Sequence, residues 1–243
     1  MAENPIQDAR QVAYRALCLG ALLKRHSVET AMLSLNDLPP EIQDGWRREH
    51  EGIHQHLKKW VLEEKILGYF SSDERQLWDA NLGKWQQLDR AKIYWRCESL
   101  GMLLWAMEVV EAPYYDTQFD LETLLLPLDL MSPTIDFVWM ASLRDADVIH
   151  QARDLAQQWH WRAQAQTQGL DVETIKKVAN EMYTAGNLPE IIEDDFPALS
   201  KSYAKLDNEE LTQVSSIAKE RHYALNWLCK QSGDWDDVPT QID

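Results

Sequence analysis

The sequence predicts an all-α fold: a single, mainly helical globular domain over residues 1–243, with irregular multi-helix packing and at most a minor β element. Three observations carry this. Only nine Gly and nine Pro occur in 243 residues, and the chain is rich in residues that helices tolerate. Apolar residues recur at a 3.6-residue period through several long segments. Helix-start signals, a small polar residue or proline ahead of each apolar stripe, punctuate the chain. No repeat of fixed period and no low-complexity tract suggests a solenoid or a second domain.

In chain order, Asn4 before Pro5 reads as an N-cap with proline at the first helical position, opening a helix to about Lys24. Its small residues Ala9, Ala13, Ala16 and Gly20 would let a neighbour approach closely. Pro39 and Pro40 open a second helix reaching about Gly68, with Ile42, Trp46, Ile53, Leu57, Trp60, Val61 and Leu67 on one stripe. Ser71 starts a short helix to Asn81. The segment from Asp89 to Glu111 is the most apolar of all and is expected to be central.

Pro113, Pro127 and Pro133 break residues 112–133 into short helices and loops, and Ile135 to Leu143 is ambiguous between helix and strand. Asp145 begins a helix to about Thr167 with Gly169 as its stop, and Asp171 caps another to about Ala185. Residues 186–210 form an acidic, loop-rich segment in which Glu190, Glu193, Asp194 and Asp195 are read as solvated. A last long helix covers about Asn208 to Gln231, and residues 232–243 are a C-terminal tail whose Trp235 packs back onto the bundle.

A net charge of −16 excludes a nucleic-acid surface, which needs clustered Lys and Arg to displace counterions, and disfavours an anionic membrane. The charge reads as solubility or, more sharply, as a docking face for a basic protein partner. Cys18, Cys97 and Cys229 are odd in number and sit in apolar contexts, as reduced buried thiols would. With no secretory n-region at the start and no apolar run of roughly 20 residues, a cytoplasmic location is expected.

Three stretches carry a resemblance. They are Tyr94-Trp95-Arg96-Cys97-Glu98-Ser99-Leu100-Gly101; Leu143-Arg144-Asp145-Ala146-Asp147, continuing to Trp159-His160-Trp161-Arg162; and Glu220-Arg221-His222-Tyr223-Ala224-Leu225-Asn226-Trp227, followed by Trp235-Asp236-Asp237. With Arg15-Ala16-Leu17, this combination resembles the bacterial domain-of-unknown-function 4272 (DUF4272) family over most of the chain. The resemblance implies a soluble, mainly helical bacterial domain without an assigned reaction.

Three groups of residues are candidates for chemistry. His50-Glu51-Gly52-Ile53-His54 has the His-Glu-x-x-His spacing that puts two imidazoles on one side of a helix. In a zinc hydrolase His50 and His54 would hold the metal, Glu51 would act as base toward its water, and Glu74 would be the third ligand. Packing explains the same positions, because both histidines lie on or beside the stripe of Trp46, Ile53 and Leu57. The expectation is therefore no cofactor, with zinc as the alternative.

Next, Arg221 lies on the inward face of the last helix and Arg96 beside the central stripe. Buried guanidinium groups need carboxylates, Glu98 being the first choice. Trp95, Arg96, Glu98, Arg221, His222 and Asn226, with Trp161, form either a helix clamp or a small anionic-ligand pocket. Last, Trp235 with Asp234, Asp236 and Asp237 lacks the turn glycine and later glutamate of a calcium loop. No phosphate loop, dinucleotide fingerprint or nucleophile elbow is present. The sequence favours a non-catalytic interaction module with an acidic surface, an adaptor or neutralising partner.

Overall fold

A computed structural model describes residues 5–241. Among them are nine α-helices: α1 (Ala9–Leu33), α2 (Pro40–Glu63), α3 (Ser72–Asp79), α4 (Gln87–Ala106), α5 (Leu121–Leu125), α6 (Ile135–Trp139), α7 (Ala146–Gln168), α8 (Val172–Thr184) and α9 (Asn208–Leu228). A single antiparallel hairpin joins β1 (Pro197–Ala198) to β2 (Lys201–Ser202), with Pro197 opposite Ser202. The chain is thus mainly α with a minor β element, and no helix of the described residues is long and apolar enough to cross a membrane.

Helix α4 lies against both α1 and α9, α9 lies against α7, and α2 covers α1. Every residue of α4 from Arg96 to Leu104 is buried, as expected of a helix enclosed on all sides. Gly101 explains how Phe119 can lie on its backbone, for a Cβ there would collide with the ring. Gly20 on α1 plays the same part for Leu128. So the small-residue stripe of α1 receives, at Gly20, a leucine from the turn after α5.

The apolar interior has two clusters. The larger gathers α1, α2, α4 and the second half of α9. The smaller, around Trp159, Phe196 and Tyr203, joins α7, α8, the hairpin and the first half of α9. The three thiols are free and buried, and burial pushes Cys97 up to about 12 and Cys229 up to about 11. These are inert core residues.

Several boundaries differ from the sequence reading. Pro5 is not helical and Asn4 lies outside the described residues; α1 starts at Ala9, where the Asp8 carboxylate accepts from the N–H groups of Arg10 and Gln11. It runs on to Leu33, past Lys24, because Arg25, Val28 and Glu29 are buried. Helix α2 ends at Glu63, where Lys65 turns left-handed at φ 58°. Helix α4 starts at Gln87 behind a Gln86–Asp89 capping box and stops at Ala106, Glu108 being left-handed at φ 61°.

Asp195 is a correction of more weight. It is buried, not solvated, because the fully buried Arg162 of α7 needs a countercharge. Asp195 accepts from Arg162 Nε at 2.6 Å and Nη2 at 2.7 Å, and from the N–H groups of Phe196 and Ala204. Burial raises its carboxyl, but these donors more than offset that and hold it below the usual range. The tail does return to the bundle: Trp235 is buried, and Asp236 takes the Ser71 hydroxyl at 2.6 Å and Asp73 N–H at 3.0 Å at the start of α3.

Candidate functional site

Arg221 projects from α9 into the junction of the two clusters and is 1% exposed. Its Nε donates to Glu98 Oε2 at 2.8 Å, Nη1 to the Pro113 and Tyr114 carbonyls at 2.8 and 3.2 Å, and Nη2 to the Thr117 carbonyl at 2.8 Å. Glu98 Oε1 accepts from Phe119 N–H at 2.9 Å. Burial holds the Glu98 carboxyl above its usual range, with Arg221 and the Phe119 amide opposing the shift without cancelling it. With two N–H donors on it, one of them from the Arg221 guanidinium, the ionised carboxylate is the form that accepts both bonds. One ion pair therefore pins α4, α9 and the irregular 113–119 segment together.

The other members of the expected cluster lie elsewhere. Arg96 donates to Glu220 Oε2 at 2.9 Å, an oxygen shared with the Ser99 hydroxyl at 2.8 Å, and its guanidinium stacks over Tyr223 at 4.2 Å. Trp95 is half-buried on a shallow groove with Leu88, Lys92 and Lys219. Of the two readings, helix clamp or anionic-ligand pocket, the pairing of Arg221 with Glu98 and of Arg96 with Glu220 matches the clamp, and the six residues fall into separate units. The physical reason is that each arginine is consumed by an internal carboxylate.

His222 and Asn226 belong to a third unit. His222 Nδ1 lies 3.0 Å from His160 Nδ1 of α7, its Nε2 lies 2.9 Å from Asn226 Nδ2, and that same Nδ2 donates to the Pro239 carbonyl at 2.7 Å. This chain fixes the protons. Pro239 can only accept, so Asn226 presents its NH2, His222 Nε2 is a lone pair, and His222 Nδ1–H donates to His160 Nδ1. His160 then carries its proton on Nε2, and the Gln164 amide 3.3 Å away must turn its oxygen to it.

Burial and the Lys219 charge push His160 down to about 4; burial, His160 and Arg153 do the same for His222. The pair is neutral and links α7, α9 and the tail.

The His-Glu-x-x-His segment does fall on a helix, α2, but its residues do not converge with Glu74. His50 Nδ1 lies 2.9 Å from the Trp46 carbonyl and its ring rests on Trp46. His54 is the more buried of the two, and burial, Arg25 and Lys58 push it down to about 4. Glu51 is exposed. Glu74 is held by Arg15 and by Ser71 N–H at 2.9 Å as the return half of the α3 capping box. Among the described residues no three metal-ligating side chains come together, these included. Stacking on Trp46 places His50, and capping and ion pairing place Glu74, while the buried His54 Nδ1 has no hydrogen-bond partner among the described residues.

Two surface features were not anticipated. A groove of about 390 Å³ lies between the end of α4 and α6, lined by Met107, Val109, Leu128, Phe137 and Met140 with Asp129 and Asp136. Around it Leu126, Ile135, Trp139 and Met140 are strongly exposed, Met140 at 81% and Trp139 at 64%. The proline-rich sequence there signalled broken helices but not which side faces out. The second is a cavity of about 310 Å³ beside Arg221, walled by Trp105, Tyr114, Tyr115 and Trp159.

The sequence matches the model of a family described as a domain of unknown function (DUF4272) over residues 1–181. The match stops before α9, so Arg221, His222 and Asn226 lie beyond it. No curated protein and no solved structure matches the chain.

Proposed function

The chain belongs to the DUF4272 family, whose description assigns no reaction, and we propose that it is a non-catalytic binding module that engages a basic protein segment through the groove beside α6. The observation that carries this reading is the apolar patch itself. Leu126 just after α5, Ile135 and Trp139 of α6 and Met140 just after it are each strongly exposed, Met140 in the groove wall and Trp139 beneath the Arg10 guanidinium, and four such residues close in sequence call for more explanation than scattered single ones. Asp129 and Asp136 in the groove wall, on a chain of net charge −16, match a segment that places Lys or Arg beside its apolar anchors. The cluster around Arg221 supports a structural role for the arginines, since their donors are spent internally.

The test is a pull-down with the full chain at low and high salt, beside the exposed-site double variant Trp139→Ser, Met140→Ser. A basic partner should be retained at low salt, weakened at high salt and lost with the variant. Absence of any partner at low salt, retention indifferent to salt, or capture unaffected by the substitutions would each overturn the reading.

A further inference from the structure

We infer that the small polar pocket between α7 and α9 binds a tetrahedral oxyanion, a sulfate or phosphate group either free in solution or at the end of a larger molecule. At about 160 Å³ it lies well below the size of sites that enclose drug-sized ligands, so the group it holds is small. Its wall is formed by His160, Gln164, Thr167, Ser215, Ser216 and Lys219 with one alanine, and contains no carboxylate, on a chain of net charge −16.

The proton pattern of the buried imidazoles decides which charge the pocket takes. Asn226 donates to the Pro239 carbonyl and so presents its NH2 to His222 Nε2 as well; His222 in turn gives its Nδ1–H to His160 Nδ1, 3.0 Å away. His160, only 5% exposed, is left with its proton on Nε2, the ring edge turned toward Gln164 and the pocket. That edge offers an N–H and no lone pair. It is therefore no base for the neighbouring serines but a fixed donor, held in place by the relay behind it.

Two more donors stand around the same space. The Lys219 ammonium, whose charge is felt at His160, pairs with no carboxylate among the described residues, its neighbour Glu220 being taken by Arg96 and Ser99. The Thr167 and Ser215 hydroxyls give their protons to backbone carbonyls, whereas the Ser216 hydroxyl has no partner among the described residues. An imidazole N–H, an ammonium and a hydroxyl match the several oxygens and double charge of a sulfate or phosphate better than a flat, singly charged carboxylate. Gln164 is the internal stand-in: its amide, 3.3 Å from His160 Nε2 and in no other side-chain hydrogen bond, covers the N–H until an anion displaces it. The pocket shares no lining residue with the groove beside α6.

The experiment titrates the full chain with sodium sulfate at fixed ionic strength and reads the His160 imidazole by 15N–1H correlation. The His160 Nε2 signal should move saturably, with a dissociation constant in the millimolar range, while His222 keeps its proton on Nδ1. Inorganic phosphate should compete, and acetate should bind about 5-fold more weakly or worse. Glycerol phosphate binding more tightly than inorganic phosphate assigns the terminal group of a larger molecule, and weaker binding assigns the free ion. Lys219→Gln, at an exposed position, should weaken sulfate binding about 5-fold or more, whereas Lys59→Gln, the same charge change on α2, should leave it unaltered. Gln164→Glu should abolish binding, because the new carboxylate itself takes the His160 N–H and Lys219.

The first titration uses the unsubstituted protein, and both pocket substitutions fall at positions open to solvent, so the result does not hang on a variant's folding. No saturable movement of the His160 signal, a His160 proton on Nδ1, acetate binding as tightly as sulfate, equal loss in Lys219→Gln and Lys59→Gln, or undiminished binding in Gln164→Glu would overturn the assignment.

Discussion

Acidification should destabilise the protein through the His160–His222 pair. Both rings are buried and neutral, joined by one Nδ1–H to Nδ1 bond, and the far nitrogen of His222 faces the NH2 of Asn226. A proton added to His160 Nδ1 sets N–H against N–H; one added to His222 Nε2 meets the Asn226 amide hydrogens. Lys219 and Arg153 are the charged groups facing the rings, and both oppose a further positive charge.

An unfolded histidine takes up its proton near 6.5, whereas these are held down at about 4, so between those values the unfolded chain binds more protons. The contribution is therefore complete above pH 6.5, declines as the pH falls toward 4, and changes no further below that. One ring titrating in this way costs about 3 kcal/mol across the window, and two rings at most about twice that.

Urea unfolding followed by tryptophan fluorescence at pH 7.5, 6.5, 5.5 and 5.0 measures the decline. In the double variant His160→Asn, His222→Asn the fall between pH 6.5 and 5.0 should be shallower by about 1 kcal/mol per pH unit for each ring removed. His54, also held down at about 4, is common to both proteins and cancels. Parallel pH profiles for the two proteins would refute the reasoning, as would a 15N imidazole spectrum placing the His222 proton on Nε2.

Two further outcomes follow from the packing. Glu98→Ala should lose about 3–5 kcal/mol in urea unfolding, because it strands the buried Arg221 guanidinium, and a loss below about 1 kcal/mol would show that the carbonyls suffice. Gly101→Ala should cost about 1–3 kcal/mol by driving a methyl into the Phe119 ring, whereas Gly52→Ala, in open space mid-helix on α2, should gain roughly 1 kcal/mol, so equal thermal shifts from the two would contradict the packing.

Local signals were legible where local physics decides. The Ser71–Glu74 capping box, Gly169 at the end of α7 and Asp171 at the start of α8 sit where the sequence puts them, because a cap depends on its own few residues. The need of Arg221 for a carboxylate was legible from the apolar residues around it, and Glu98 meets that need. The carboxylates that serve Arg96 and Arg162 were not. Arg96 takes Glu220 and Arg162 takes Asp195 because tertiary packing, not spacing, brings helices and hairpin together. His160 escaped for the same reason: its partner is 62 residues away, and its own segment reads as ordinary amphipathic helix.

The ion pair between α4 and α9 also sets an order of events during synthesis. Glu98 leaves the ribosome well before Arg221, 123 residues later, and Gln7, whose N–H and side-chain amide donate to the Leu228 and Trp227 carbonyls, waits longer still. Until α9 emerges, the nascent chain holds an unneutralised acid in its most apolar helix and an open face along α1. Loops of that length close slowly, so the native core is completed only after translation of α9, and the interval before then is when a chaperone would find this chain.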